Sequence, residues 1–177
     1  DFFQETDTYR GVLGLQGRFG EGWEWNTALN WGRSTGVDGS TNVANLQRVA
    51  NTLDTALCSN VPGAAIPCAD YLGYGDVTPE VLDYIMFTSR GTGGNEQKRF
   101  TANLSGQVFE LPAGWVGFAT SVEIRNDRGW RHPDALVQSG VANGNAQDPV
   151  EGDYTAKEAF VEFAIPLLQG KAWAEAM

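Results

Sequence analysis

Histidine is nearly missing from this chain: one residue, His132, in 177. A histidine-rich metal site would need a second chain, and no metal or cofactor is expected. Basic residues are also scarce, 12 Lys and Arg against 22 Asp and Glu, which leaves a net charge of −10. A chain that acidic is a poor partner for a phosphate backbone, and no nucleic-acid partner is expected. No apolar run approaches the roughly 18–20 residues of a membrane-spanning helix. The opening Asp1-Phe2-Phe3-Gln4-Glu5 has neither the basic stretch nor the apolar core of a signal peptide. An initiating Met is missing, and Trp173 to Met177 reads as a strand just begun. The sequence is therefore expected to be an internal piece of a longer protein.

What is present is alternation. The chain is 42% hydrophobic and 11% aromatic, too apolar for disorder. Tyr9, Gly11, Leu13, Leu15, Gly17 and Phe19 fall on one face of a period-2 run, opposed by Arg10, Val12, Gln16 and Arg18. A turn at Gly20-Glu21-Gly22 leads to Trp23, Trp25, Thr27, Leu29 and Trp31, opposed by Glu24, Asn26 and Asn30. Similar runs place Phe100 to Val108, Val116 to Ile124 and Ala159 to Ile165 on apolar faces. The strands are expected at about residues 8–19, 23–33, 97–109, 115–126 and 155–166, with a sixth starting near 172. A mean hydropathy of −0.29 does not speak against membrane strands, because alternation averages to nothing special.

The connections alternate between short and long. Short ones lie at Gly20–Gly22, Leu111–Gly114 and Leu167–Lys171, the last with a tight turn at Gln169-Gly170-Lys171. Long ones cover about 34–96 and 127–154, well beyond the usual loop of a compact domain. Outer-membrane barrels have this asymmetry, with short periplasmic turns and long extracellular loops. Runs of about nine to eleven residues also suit a tilted membrane strand, whereas soluble strands average five or six. The expectation is an all-β fold: an antiparallel up-and-down transmembrane β-barrel segment. A soluble sheet with one face on a core would alternate too.

The first long loop carries helix signals. Val43, Leu46, Ala50, Leu53 and Leu57 recur at helical spacing. Thr78 and Pro79 suit an N-cap and first helical position, with Val81, Leu82, Ile85 and Met86 on one face and Gly91 as terminator. Cys58 and Cys68, ten apart in this loop, favour a local disulfide and an oxidising compartment. Two free thiols are the alternative.

No catalytic set is visible, and an enzyme is not expected. Gly91-Thr92-Gly93-Gly94 lacks the Lys-Ser/Thr of a phosphate-binding loop and reads as a flexible return. Asp70, Asp76 and Asp83 do not have EF-hand spacing. Candidate ligand contacts are Trp130, Arg131 and His132 past the fourth run, with Tyr71, Tyr74 and Tyr84 in the first loop. Such rings stack on sugars or flat ligands, or else pack the loop on itself. Arg99, Glu123, Arg125, Glu158 and Glu162 on the polar face pair across strands, contact a missing domain, or stay solvated.

The stretches Tyr9 to Gly17, Gly22-Trp23-Glu24-Trp25 and Asn30-Trp31-Gly32-Arg33 resemble the barrel of proteobacterial TonB-dependent receptors. So do Thr78 to Tyr84, Asn95 to Gly106 followed by Leu111-Pro112-Ala113-Gly114, and Lys157 to Glu162 with Ile165 to Leu168. No single piece is a specific motif; the ordered set spans nearly the whole chain. The resemblance implies an outer-membrane barrel of about 22 strands around a plug. It also implies uptake of a small-molecule nutrient (ferric siderophore, cobalamin or oligosaccharide) driven through TonB. Neither plug nor TonB box is found in the sequence, so missing strands, the plug and outer-membrane lipid are the expected partners. Five strands cannot close so wide a barrel, and an open edge cannot face lipid, so this piece is not expected to insert alone. A passive porin-like barrel and a soluble secreted β-sheet binding domain are the alternatives.

Overall fold

Strands take 63% of the chain and helices 12%, which makes the fold all-β. The computed structural model describes residues 1–73, 77–171 and 174–176, with side chains as far as Leu168. Strands β1 (Phe2–Phe19), β2 (Trp23–Ala44), β3 (Met86–Leu111), β4 (Gly114–His132) and β5 (Val150–Ala164) form one antiparallel sheet in chain order. The sheet is a meander, and it does not close. Helices α1 (Leu46–Leu53) and α2 (Pro79–Ile85) lie between β2 and β3, and α3 (Ala135–Gln138) lies between β4 and β5.

Local chemistry sets the turns. Gly20 and Gly22 have φ of 56° and 82°, a region that favours glycine, and between them the chain reverses from β1 to β2. Pro112 and Ala113 connect β3 to β4. β5 ends at Ala164, two residues before Pro166, which has no N–H for a ladder. Gln169–Lys171, expected as a turn, is instead a short strand β6 paired antiparallel with β7 (Ala174–Ala176), Gln169 opposite Ala176 and Lys171 opposite Ala174. The expected strand start at 172 lies outside the described residues.

The five strands are longer than the alternating runs that foretell them. They have 18, 22, 26, 19 and 15 residues. The added lengths are weakly patterned: Ser34 to Ala44 of β2, for instance, is small or polar apart from Val37, Val43 and Ala44. No sustained apolar alternation marks that stretch, yet neighbouring strands still satisfy its backbone groups. Gly91 to Gly94, expected as a loop, are inside β3 for the same reason. Gly91 therefore does not end α2; Met86 passes straight from that helix into the strand.

The chain makes two compact units. One comprises Asp1–Asp7, Thr35–Gly94 and Trp130–Glu151; the other comprises Thr8–Ser34, Asn95–Gly129 and Gly152–Met177. The first, the loop unit, holds the helices. Asn45 caps α1 by accepting from Arg48 N at 3.1 Å, and Thr78 caps α2 by accepting from Val81 N at 3.4 Å. Val81, Ile85, Thr52 and Ala142 are buried there. Val43 and Leu57, expected on the first helix, lie outside it: Val43 is still in β2, and Asp54 ends the helix before Leu57. The two connections meet where Leu46 N donates to Val141 O at 2.6 Å and Asn143 N to Ala44 O at 2.9 Å.

Cys58 and Cys68 are joined by a disulfide with Cα atoms 4.9 Å apart, and Ser59 N donates to Ile66 O inside the closed loop. Closing a ten-residue separation restricts the unfolded chain by about 2.7 kcal/mol in the chain-entropy account. Reduction is expected to raise amide exchange across residues 58–69 while leaving β3 and β4 protected. Hydrogen exchange with and without reductant measures this; equal exchange would show that the staple is dispensable.

Candidate functional site

The second unit is a sheet with two unlike faces. Phe19 of β1 stacks on Trp23 of β2, ring centroids 5.9 Å apart. Trp23 meets Phe118 of β4 at 6.0 Å, and Phe118 meets Phe163 of β5 at 5.3 Å. β3 lies between Trp23 and Phe118 and contributes Gly106. A Cβ there would meet the Trp23 ring at 2.5 Å, so the ring covers the bare backbone of β3. An aromatic row thus crosses all five strands, with a glycine where the indole must lie flat. Trp25 covers Gly17 in the same way.

Ten residues further along each strand the same face changes character. The positions are Tyr9, Arg33, Glu96, Arg128 and Asp153. Glu96 pairs with Lys98 at 2.9 Å and Arg33 at 3.8 Å, and the Trp31 indole lies against the same carboxylate. Between row and border the face is apolar and uncovered: Leu13 is 65% exposed and Phe163 56%. Lys157 on β5 interrupts it, six residues from Phe163.

The opposite face is polar and internally paired. Arg99 of β3 bonds Glu123 of β4 at 2.5 Å, and Gln97 donates to Asp127 at 2.7 Å. Arg125 lies between the two carboxylates, 3.6 Å from Glu123 and 3.0 Å from Asp127. Its Nε faces Asp127 off the hydrogen-bond axis, so this contact is an ion pair without a hydrogen bond. Asn103 donates to Asn26 at 2.6 Å, linking β3 to β2. Arg99, Glu123 and Arg125 therefore pair with protein groups, while Glu162 is exposed. Glu158 lies in the field of Arg125. Exposed pairs of this kind are worth about 0–1 kcal/mol each. They fix the arrangement of charge more than they stabilise the sheet.

The ligand candidates from the sequence fall in the loop unit, and some of them serve the protein itself. Arg131 makes a two-pronged bond to Asp38, at 2.6 and 2.8 Å. It reaches from β4 to β2 past Gly91 of β3, where a Cβ would already sit 3.4 Å from the guanidinium. Tyr71 shares a hydrogen bond of 2.7 Å with Thr52 on α1, and Ala69 N donates to Thr52 O nearby. Both belong to the scaffold rather than presenting a free polar group. Tyr74 lies outside the described residues. Trp130 is half-buried and His132 exposed on alternate positions of β4 from Arg131. Asp38 was not among the expected residues, whereas Tyr84 was, beside Tyr71 and Tyr74. Asp38 gives no signal in its own stretch, while Tyr84 receives Asn51 Nδ2 on its hydroxyl at 3.3 Å and Arg48 on its carbonyl at 2.9 Å. Among the described residues no group of acidic, histidine or cysteine side chains is placed to hold a metal.

No helix among the described residues is long and apolar enough to cross a membrane. No family model, curated protein or solved structure matches the chain.

The hydrogen bond from Arg131 holds the Asp38 carboxyl below the ordinary carboxylate range, against a smaller opposing effect of burial. With its folded pKa below the unfolded value of 3.8, this group stabilises fully above that value and loses its contribution as pH falls through the folded one. Asp38→Asn is expected to lower stability by up to about 1 kcal/mol at neutral pH. The gap to the wild type should narrow as pH falls below 3.8. Paired thermal melts at neutral and acid pH test it; a gap that persists in acid would show that Asp38 acts by packing alone.

Proposed function

We propose that the chain is a segment of the wall of an outer-membrane β-barrel of the TonB-dependent receptor type. Its parent protein would import a scarce small-molecule nutrient, drawing on TonB. One observation carries the reading: an uncovered apolar face crosses all five strands, with an aromatic row at one border and charge at the other. Ten residues rise about 33 Å along a strand, which a tilt of about 40° reduces to about 25 Å. That is about the height of the apolar band of outer-membrane barrels, whose borders also carry aromatic girdles.

Three further observations support the reading. The opposite face is polar and charge-paired, as a wet lumen requires. The connections at one end of the strands are a few residues, and at the other they carry helices and a disulfide. The sheet is open, so β1 and β5 present unpaired edges that lipid cannot satisfy; further strands are the natural neighbours. A secreted soluble sandwich would have strands near five or six residues and a second sheet over the apolar face, and strands of 15 to 26 residues do not fit it. A passive porin would share this wall and differ in having no plug.

The test begins with the coding frame on both sides of the chain. Further alternating strands, a plug and a TonB box are expected; strands without a plug would make it a porin. The protein of that full frame is then followed into the outer-membrane fraction. Val122→Arg, on the apolar face, is expected to abolish its folded, heat-resistant form, at about 2–4 kcal/mol. Ser121→Arg, one residue away on the polar face, should leave it within about 0.5 kcal/mol. Equal effects of the two would overturn the membrane reading.

A further inference from the structure

The polar face is not level. Gly14 of β1, Ala28 of β2, Thr101 of β3 and Ser121 of β4 fall on it by alternation, and all four are short or lack a side chain. A Cβ at Gly14 would be 4.0 Å from the Cβ of Ala28, so these two short positions adjoin. Larger groups flank the low ground, Asn30 and Arg99 along one side and Asn103 along the other. Between them is a recess of about 570 Å³, bounded on β5 by Glu158 and Phe160. That volume is in the range of small-molecule sites. Phe160 is 54% exposed, a ring between Glu158 and Glu162 on the polar side of its strand. The charges are already committed. Arg99, the one cation lining the recess among the described residues, is bonded to Glu123, and Glu158 adds a negative charge. The side chains of Asn30 and Ser121 have no partner among the described residues. Asn103 donates to Asn26 and keeps its own carbonyl oxygen for a further bond.

We propose that this recess binds one unit of a neutral saccharide, the C–H face of the sugar on Phe160 and its hydroxyls on Asn30, Asn103 and Ser121. The proposal rests on the reading of this face as the wet wall of an importer, and deepens it by naming the solute class and the residues that hold it. Amides and a hydroxyl both donate and accept, which matches groups that do the same. An anionic solute would find no unpaired cation and would meet Glu158. A flat apolar solute would cover the Phe160 ring but leave the amides and the hydroxyl without partners, at a cost. A sugar answers both halves of the site, because its ring has an apolar face and a hydroxyl-bearing edge. Glu162, on the same face of β5, does not line the recess and serves as the control position.

The probes are neutral oligosaccharides of the common hexoses and pentoses, each paired with its uronate and its amino-sugar counterpart. The barrel from the full reading frame, purified in detergent, is titrated with them by saturation-transfer NMR. At least one neutral sugar is expected to bind, about tenfold more tightly than either charged counterpart. Phe160→Ala should weaken that binding about tenfold, and Phe160→Tyr should restore it. Ser121→Arg, which fills the recess, should abolish binding in a barrel that keeps its heat-resistant form. Glu162→Gln should leave the affinity unchanged. Failure of every neutral sugar to bind, or equal or tighter binding of a charged counterpart, would overturn the site. So would an unchanged affinity in Phe160→Ala. Loss of the folded barrel in both Phe160→Ala and Ser121→Arg would overturn it too, since the recess would then be packed against another part of the parent protein. If the protein never reaches the outer-membrane fraction, the membrane reading itself falls, a failure visible before any sugar is added.

Discussion

A sheet one layer thick cannot bury either of its faces by itself, and this constraint governs the rest of the structure. The chain exposes 12519 Å² at a mass of 19.2 kDa, where a compact monomer of that size exposes roughly 8,400 Å². Among the described residues the buried apolar side chains are Val81, Ile85, Val116 and Ala142, and only Val116 lies on a long strand of the sheet. The sheet thus lacks a core of its own. Its leucines, phenylalanines and valines gain little from folding in water at about 25 cal/mol per Å² buried. Their pattern makes sense only with an apolar partner along the whole face.

That need explains features that would be liabilities elsewhere. Aromatic rings with one polar atom suit a border between apolar and wet surroundings. Trp23 across Gly106 and Trp25 across Gly17 keep wide rings flat against the sheet, where side chains at those glycines would lift them away. The polar face follows the opposite logic. Arg99, Glu123, Arg125 and Asp127 would be costly against lipid, yet as a mutually paired set in water they cost little. One strand can serve both surroundings because successive side chains alternate.

Much of this was legible in the residues. Period-2 alternation located all five long strands, and the Thr78-Pro79 cap fixed the start of α2 to the residue. The disulfide followed from spacing within a loop. The strand ends were not legible: residues such as Ser34 to Ala44 are mostly small or polar, and their pairing depends on neighbours far away in sequence. Asp38 was missed for a related reason. Its partner Arg131 is 93 positions on, and only the order of β2, β3 and β4 with a glycine in the middle strand brings them together. For Arg131 and Tyr71 the sequence left ligand contact and scaffold both open, because a polar or aromatic loop residue has the same signature whether it bonds a ligand or its own scaffold.

The bonding within the loop unit bears on what such loops can recognise. Tyr71 is held to Thr52 on α1, Arg48 and Asn51 hold Tyr84, and Asp134 caps α3 while accepting from Arg90 N. The disulfide closes the segment between the helices. Each bond removes conformational freedom before any ligand arrives, so less ordering entropy opposes binding later. The same bonds withdraw the most obvious polar groups from use.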